Sequence, residues 1–183
     1  MTGTIVLSVA TREAIPALTD LIAESARLLS RGFYTDQEAE SAIRFVFGVD
    51  TALVDDGTYY VARLDDALAG CGGWSRRNTL YGGDQRPVGE ASLLDPTTDA
   101  ARIRAFFVAP SAARRGVGRH LLAVCEQAAG KAGFRSLTLM ATLPGAPFYQ
   151  ALGFAPDEDV VDVLPDGTRL RFVRMSKRIG DRL

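Results

Sequence analysis

The hydrophobic and polar positions along the chain follow two alternating periods, which predict strands and helices in a mixed order. Short apolar or alternating runs predict seven strands, at 5–9, 58–63, 67–74, 104–108, 137–142, 160–164 and 168–175. Apolar residues at helical spacing predict four helices, at 11–29, from 35 to about 47, at 117–132 and around 148. This order predicts an α+β fold, with a mixed and largely antiparallel sheet of about seven strands flanked by about four helices. The sequence shows no linker, repeat or low-complexity tract, so residues 1–183 are predicted to form a single domain.

Cap and turn residues mark several boundaries between these elements. Thr11 is predicted to cap the first helix, and Thr35-Asp-Gln-Glu predicts a capping box for the second. Asp55–Gly57 predicts a turn before the second strand. Residues 76–98 are rich in Gly, Asp and Pro, which predicts an active-site loop or a mobile lid.

Composition and charge exclude several classes of function. The 183 residues include 21 Lys and Arg against 22 Asp and Glu, a net charge of -1, whereas dedicated nucleic-acid binders show a large basic excess. No apolar stretch is long enough to span a bilayer, and the N-terminus lacks the pattern of a signal peptide, so a cytoplasmic protein is expected. Cys71 and Cys125 fit neither a disulfide nor a metal pattern and are expected to be reduced. With His120 as the single histidine, no metal site is expected.

Candidate chemistry is concentrated in residues 104–122, where a strand is followed by a sharp turn and a helix. Phe106, Phe107 and Val108 are strand formers. Pro110 ends the strand, because proline cannot donate to a strand ladder.

The helix that follows opens on Gly116 and Gly118, whose lack of side chains leaves backbone N–H groups accessible. A helix N-terminus also carries a partial positive charge that attracts anions. Three arginines surround this helix start: Arg114, Arg115 and Arg119. The segment therefore predicts a site for a phosphorylated ligand.

Three kinds of glycine-rich anion loop can be compared with this segment. A P-loop requires Gly-Lys-Ser/Thr, but here Gly118 is followed by Arg119 and His120. A dinucleotide fingerprint needs a small residue three places after the second glycine, where this chain has Leu121. The third kind is the pyrophosphate turn of the GNAT superfamily, the acyl-CoA-dependent N-acetyltransferases. The run from Val108-Ala-Pro through Arg-Gly-Val-Gly118 resembles that turn closely.

A second motif shows the same resemblance. The strand at 137–142 leads into Pro144-Gly-Ala-Pro-Phe-Tyr-Gln-Ala-Leu-Gly-Phe154, and its Phe-Tyr-x-x-Leu-Gly-Phe pattern is similar to the closing motif of the GNAT superfamily. The two motifs in this order make the resemblance specific over residues 100–155, and the rest of the chain resembles the family by element order. One position departs from the family pattern, since Ala113 stands where Gln or Arg is usual.

The resemblance implies transfer of an acetyl group from acetyl-CoA, as cosubstrate, directly to a primary amine, with no metal. It implies that the backbone N–H of Val108 holds the acetyl carbonyl, and that Phe106 and Phe107 line the approach. A splay between the strands at 104–108 and 137–142 would admit the pantetheine arm. The residues expected to bind the pyrophosphate are Arg114, Arg115, Gly116, Val117, Gly118 and Arg119.

Such a reaction needs a proton donor for the leaving thiolate and a way to deprotonate the amine. Tyr149 matches the family tyrosine and is the candidate general acid, the alternative being an aromatic side chain packed on the sheet. The strand at 102–108 contains no acid, so Asp99 is the candidate base, acting through water, with Asp95 and Glu90 as alternatives. Loop aspartates are also typical turn formers.

The expected acceptor is a small-molecule or peptide amine. Phe33 and Tyr34 fall where acceptor sites lie in GNAT proteins, and Arg76-Arg77 could recognise a polar acceptor together with residues 81–84. Trp74 follows two glycines within a strand, which predicts either a wall of the acceptor pocket or a core residue beside a bulge.

The sequence is compatible with two other functions. The missing strand acid and Ala113 are consistent with a non-catalytic acyl-CoA-binding regulatory protein. An acetylating toxin acting on charged tRNA is disfavoured by the near-neutral charge, so no nucleic-acid partner is expected. No membrane partner is expected either, because no apolar stretch is long enough to span a bilayer. The last hairpin alternates Arg169 and Arg171 with apolar residues, a pattern typical of either a homodimer surface or one strand face on the core.

Overall fold

The computed structural model describes residues 3–86 and 91–180, and these contain seven strands and five α-helices. The strands are β1 Ile5–Val9, β2 Tyr59–Leu64, β3 Ala67–Ser75, β4 Ala101–Val108, β5 Ser136–Thr142, β6 Ala155–Val163 and β7 Arg169–Arg178. The helices are α1 Ile15–Leu29, α2 Asp36–Phe45, α3 Thr51–Asp55, α4 Val117–Lys131 and α5 Ala146–Ala151.

The strands form one seven-stranded sheet in the order β1-β2-β3-β4-β5-β7-β6. Every neighbouring pair is antiparallel except β4 and β5, which are parallel and joined by the α4 crossover. The predicted α+β fold with a mixed, largely antiparallel sheet is therefore confirmed.

The fifth helix, α3, is not predicted by the sequence, which indicates only the turn at Asp55–Gly57. It has five residues and so is too short to show a helical period. Its N-terminus is held by Asp50, whose Oδ1 accepts the backbone N–H of Ala52 at 3.0 Å.

The two predicted helix caps have different outcomes. The capping box of α2 is confirmed, because the Thr35 hydroxyl accepts the N–H of Glu38 at 3.1 Å while the Glu38 carboxylate accepts the N–H of Thr35 at 2.7 Å. The α-helical cap at Thr11 is wrong, because a short 3-10 helix at Arg12–Ala14 precedes α1. Helix α1 begins at Ile15, and Pro16 fits its first turn because the N–H that proline lacks would have no helical partner there.

Consecutive residues at the end of β4 alternate between the two faces of the sheet. The Phe107 ring lies 5.5 Å, centroid to centroid, from that of Phe47, which follows α2. The Phe106 ring faces the opposite side, 6.4 Å from the ring of Tyr149 in α5. Val108 also points to this second side, where α4 begins. Helix α2 and the α4–α5 pair therefore cover opposite faces of β4.

Trp74 and both cysteines belong to the packed interior. The Trp74 side chain is buried and its ring centroid lies 6.0 Å from that of Phe134, so the core alternative for this residue is the one that the structure supports. Cys71 and Cys125 are free thiols with no exposed surface. Burial raises the pKa of the Cys71 thiol to about 12, because the thiolate would lose its hydration.

This buried thiol predicts a loss of stability at high pH. Above about pH 8.5 the unfolded chain releases the Cys71 proton while the folded chain keeps it, so this thiol alone lowers the free energy of unfolding by about 1.4 kcal/mol per pH unit. Urea unfolding at about pH 7.5 and about pH 10 measures this fall, and the Cys71→Ala variant is expected to show a shallower dependence. Identical dependence in the variant and the wild type would contradict the prediction.

Candidate active site

Strands β4 and β5 stop pairing soon after they meet. Their parallel pairing is limited to Ala101 with Leu137 and Arg102 with Thr138, although both strands continue well beyond. Over its whole length β5 pairs with β7 on its other side. The two strands therefore diverge and leave an opening between residues 103–108 of β4 and 139–142 of β5, which we call the β4–β5 opening. This divergence is the predicted splay.

A bulge in β4 lies beside this opening. Cys71 pairs with Phe107 and Gly73 with Arg104, so two residues of β4, Ala105 and Phe106, stand opposite Gly72 alone. Ala105 has a φ of 50°, a left-handed conformation that costs a non-glycine residue roughly 1–2 kcal/mol. Gly72 makes room for the bulge, because a β-carbon there would lie 2.5 Å from the Phe106 ring.

The register after the bulge directs the backbone of Val108 into the opening. The N–H of Ala109 donates to the carbonyl of Ala69 on β3 at 2.8 Å. Antiparallel strands alternate between residues that bond to the neighbour and residues that face away from it. Val108, paired with Gly70, is a residue of the second kind, so its N–H and carbonyl face away from β3. This is the N–H group that the resemblance to the GNAT superfamily assigns to the acetyl carbonyl.

The turn after β4 presents backbone N–H groups at the start of α4. A short 3-10 helix at Pro110–Ala112 is followed by Arg114 and Gly116 in left-handed conformations, with φ of 65° and 87°. The N–H of His120 gives the first helical bond, to the Gly116 carbonyl at 3.1 Å. At the start of α4, the N–H groups of Gly116, Val117, Gly118 and Arg119 have no acceptor within the described residues. Such a helix start binds anions.

The predicted arginines surround this helix start. Arg114 and Arg119 are exposed, and the described residues provide no ion-pair partner for either. Arg115 is also exposed and lies 3.8 Å from the Asp65 carboxylate, a pair worth little at such exposure. Gly118 packs under the Phe148 ring, since a β-carbon there would lie 3.0 Å from Phe148 Cζ.

Tyr149 packs on the same face of the sheet as Phe106 and the start of α4. Its ring lies 5.0 Å from the ring of Phe148, 5.6 Å from that of Phe154 and 6.4 Å from that of Phe106, centroid to centroid. Burial among these rings raises the pKa of the Tyr149 phenol well above its ordinary value, so the hydroxyl stays protonated. The structure thus brings Tyr149, Phe106 and the start of α4 to one side of the opening.

Asp99 lies away from these groups. Its Oδ2 accepts the N–H of Asp95 at 2.7 Å, and its own N–H donates to the Asp95 carbonyl at 2.7 Å. Pro96, within the same turn, packs beside Gly133 just beyond the C-terminal end of α4, the end opposite the N–H groups of the helix start. This placement favours the turn-forming alternative for Asp99. The third candidate acid, Glu90, lies outside the described residues.

The turn between α1 and α2 is fixed beside the end of β5. Tyr34 donates its hydroxyl to the carbonyl of Arg171 at 2.5 Å and accepts the N–H of Leu143 at 2.9 Å. Burial raises the pKa of Tyr34 to about 12, so this hydroxyl remains a donor. Phe33, the other predicted acceptor-side residue, is 47% exposed.

A polar cleft of about 270 Å³ lies where α3, β3 and β4 meet the segment after β3. Its charged lining residues are Asp50, Arg77, Asp84, Arg86 and Arg104. Arg104 is buried, with Nη2 at 2.7 Å from Asp50 Oδ2 and at 2.6 Å from the Gly82 carbonyl. Burial lowers the pKa of Arg104 while Asp50 opposes that shift.

Sequence reasoning missed this cleft because its partners are far apart along the chain. Asp50 and Arg104 are separated by 54 positions. The signal available in the sequence was Arg104, a charged side chain on the inward face of a strand. A buried charge requires a partner, so this residue indicates a polar cluster. Arg77, predicted as an acceptor contact, is paired with Asp56 at 2.8 Å.

The described ranges contain neither a candidate metal cluster nor a helix that could span a membrane. No cluster of three or more His, Cys, Asp or Glu side chains in residues 3–86 and 91–180 could hold a metal ion. No helix in these same ranges is long and apolar enough to cross a membrane.

Solved structures share this fold over nearly the whole chain. A GCN5-related N-acetyltransferase from Rhodopseudomonas palustris has a TM-score of 0.72 at 20% identity, covering 97% of this chain and 98% of its own. PaiA N-acetyltransferase from Thermoplasma acidophilum, solved with coenzyme A, has a TM-score of 0.59 at 18% identity, covering 96% and 99%. YncA from Salmonella typhimurium, solved with acetyl-CoA, has a TM-score of 0.62 at 14% identity, covering 98% and 96%.

Comparison with curated proteins gave no significant match. The family model described as acetyltransferase (GNAT) family matches residues 17–154, well over half of the chain, and includes β4, the turn, α4 and the Phe-Tyr motif of α5. The chain therefore belongs to the GNAT acetyltransferase family and is an acyltransferase.

Proposed function

We propose that this chain transfers an acetyl group from acetyl-CoA directly to a primary amine. The observation that carries the proposal is the β4–β5 opening, into which Val108 directs an unpaired N–H next to an anion-binding helix start. The presence of coenzyme A in the PaiA structure and of acetyl-CoA in the YncA structure supports the same cosubstrate here.

The turn after β4 would bind the pyrophosphate of acetyl-CoA. Its main contacts are the N–H groups of Val117, Gly118 and Arg119, assisted by the helix dipole. Arg114 and Arg115 would add charge from the exposed side of the turn, which compensates for the neutral Ala113. Phe106 and Phe107 would flank the way from this turn to the bulge from the two opposite faces of β4.

Two groups of the chain would act on the reacting atoms. The Val108 N–H would donate to the acetyl oxygen as negative charge develops on it, while the amine nitrogen bonds to the acetyl carbon. Tyr149 would donate its phenolic proton to the coenzyme A sulfur as the carbon–sulfur bond breaks.

The amine must lose a proton before it attacks, because an unperturbed alkyl ammonium has a pKa of about 10.4. Asp99 and Asp95 hold each other in a turn remote from the opening, so we assign this proton to solvent water. The amine would approach from the α2 side, where Phe107 packs against Phe47 and the cleft beside Arg104 can receive polar groups.

Acetyl transfer to a mixed panel of amines tests the proposal. We expect products that are heavier by one acetyl group, detected by mass spectrometry, together with acetyl-CoA-dependent release of free thiol. The buried Cys71 and Cys125 keep the protein's own contribution to the thiol signal small. A protein that binds acetyl-CoA but neither acetylates any amine nor releases coenzyme A would instead support the non-catalytic regulatory alternative.

The Tyr149→Phe variant tests the proton donor. We expect kcat at saturating acceptor to fall by at least about tenfold, because general acid catalysis typically contributes more than that, while Kd for acetyl-CoA changes by less than about twofold. Tyr60→Phe, which removes a hydroxyl from β2, is the matched control and should retain wild-type kcat.

Because burial raises the pKa of Tyr149, its ionisation should not reduce the wild-type kcat below about pH 10. An unchanged kcat in Tyr149→Phe would remove this residue from the chemistry.

The Arg119→Gln variant tests the anion site. We expect Kd for acetyl-CoA, measured by calorimetry at low salt, to rise roughly threefold to tenfold, with a smaller effect at high salt because charges are screened there. Arg135→Gln, an exposed arginine beyond the other end of α4, is the matched control. Equal effects of the two substitutions would contradict the placement of the pyrophosphate.

A further inference from the structure

We propose that Tyr59 is a positioning residue that holds the β4 bulge in the shape needed to direct the Val108 N–H into the β4–β5 opening. The inference rests on the proposed acetyl transfer and adds a residue from β2, two strands away from the opening. The Tyr59 side chain has no exposed surface, and its hydroxyl donates to the carbonyl of Ala105 at 2.9 Å.

The Tyr59 ring reaches β4 by crossing β3 at a glycine. Tyr59 pairs directly with Gly73 of β3, and Gly73 in turn pairs with Arg104 of β4. A β-carbon at position 73 would lie 2.8 Å from Tyr59 Cδ2 and 2.6 Å from the Thr58 carbonyl oxygen. The missing side chain at Gly73 therefore provides the space through which the Tyr59 ring reaches the bulge.

The bulge needs a partner of this kind. Ala105 occupies the left-handed region at a φ of 50°, which non-glycine residues keep only when the surrounding structure holds them there. The pairing of β3 with β4 has a register shift between Cys71 and Gly73, so the strand ladder leaves out Ala105. The Tyr59 hydroxyl thus satisfies a carbonyl that would otherwise lack a partner within the sheet.

The shape of the bulge determines which groups enter the opening. A bulge inserts one extra residue into a strand. The backbone groups of every residue after it then face the opposite way from the way they would face without the bulge. With the bulge in place, Phe106 faces Tyr149 and the Val108 N–H faces away from β3. If the extra residue were lost, Val108 would turn its N–H toward β3 and out of the opening.

Tyr59 keeps its phenolic proton at neutral pH and can therefore donate a hydrogen bond. Burial raises the pKa of its phenol well above the ordinary value, and the nearby Cys71 thiol and Asp50 carboxylate raise it further. Its bond to the Ala105 carbonyl is therefore not lost by ionisation near neutral pH.

The Tyr59→Phe variant removes this bond and keeps the ring. We expect kcat to fall roughly tenfold to a hundredfold, since the Val108 donor is then misplaced, while Kd for acetyl-CoA stays within about threefold. The matched control is Thr138→Val, which removes another buried hydroxyl that donates to a backbone carbonyl, that of Met175, at 3.1 Å. It should lower the unfolding temperature and keep kcat. Equal loss of kcat in both variants, or no loss in Tyr59→Phe, would overturn the proposal.

A second substitution separates positioning from general stability. Glycine adopts the left-handed conformation without strain, so Ala105→Gly in the Tyr59→Phe background should restore kcat by at least about threefold. A purely structural role for Tyr59 would give no such rescue, and its absence would count against the inference.

Hydrogen exchange of the intact protein gives a readout that does not depend on turnover. In Tyr59→Phe, peptides covering residues 101–109 should exchange faster than in the wild type, while those of β6 and β7 should not. If the wild type acetylates no amine but this local change occurs, the proposed function fails and the positioning role of Tyr59 stands. Unchanged exchange at 101–109 would overturn the role itself.

Discussion

The site depends on one constraint, the early end of pairing between two parallel strands. Backbone N–H and carbonyl groups inside a sheet need partners, and β4 and β5 satisfy theirs only on their outer sides once they diverge. The inner edges beyond Arg102 and Thr138 are therefore left without a strand partner, and the proposed function assigns them to the acyl donor. The aromatic side chains around the opening, Phe106 and Tyr149 above all, shield these edges from bulk water, which strengthens any hydrogen bond formed there.

The parts of this arrangement that depend on local sequence could be predicted. Two glycines mark the turn after β4. Gly116 adopts a left-handed conformation, and Gly118 packs under Phe148. The box at Thr35 likewise involves residues three positions apart. Both signals are local, so a single sequence is enough to indicate them.

The parts that depend on distant contacts could not be predicted. Asp50 meets Arg104, and Tyr59 meets Ala105, through strand pairings whose register is not apparent from either segment alone. The bond that Asp99 accepts from the Asp95 N–H favours its turn-forming role, and a choice between that role and a base cannot be made from its nearness to β4 in the sequence. Thr11 has the residue type of a helix cap, yet the tighter turn at Arg12–Ala14 delays the α-helix by one turn.

The β4 bulge and the start of α4 are joined by a short and stiff connection. Pro110 restricts the backbone, the 3-10 helix at Pro110–Ala112 makes it compact, and α4 begins a few residues later. In the proposed reaction, the segment from Val108 to Arg119 fixes the distance between the N–H group assigned to the acetyl carbonyl and the N–H groups assigned to the pyrophosphate. A donor would then need its acyl group and its negative charge at this separation, so the proposed function implies selection of acyl carriers by length as well as by chemistry.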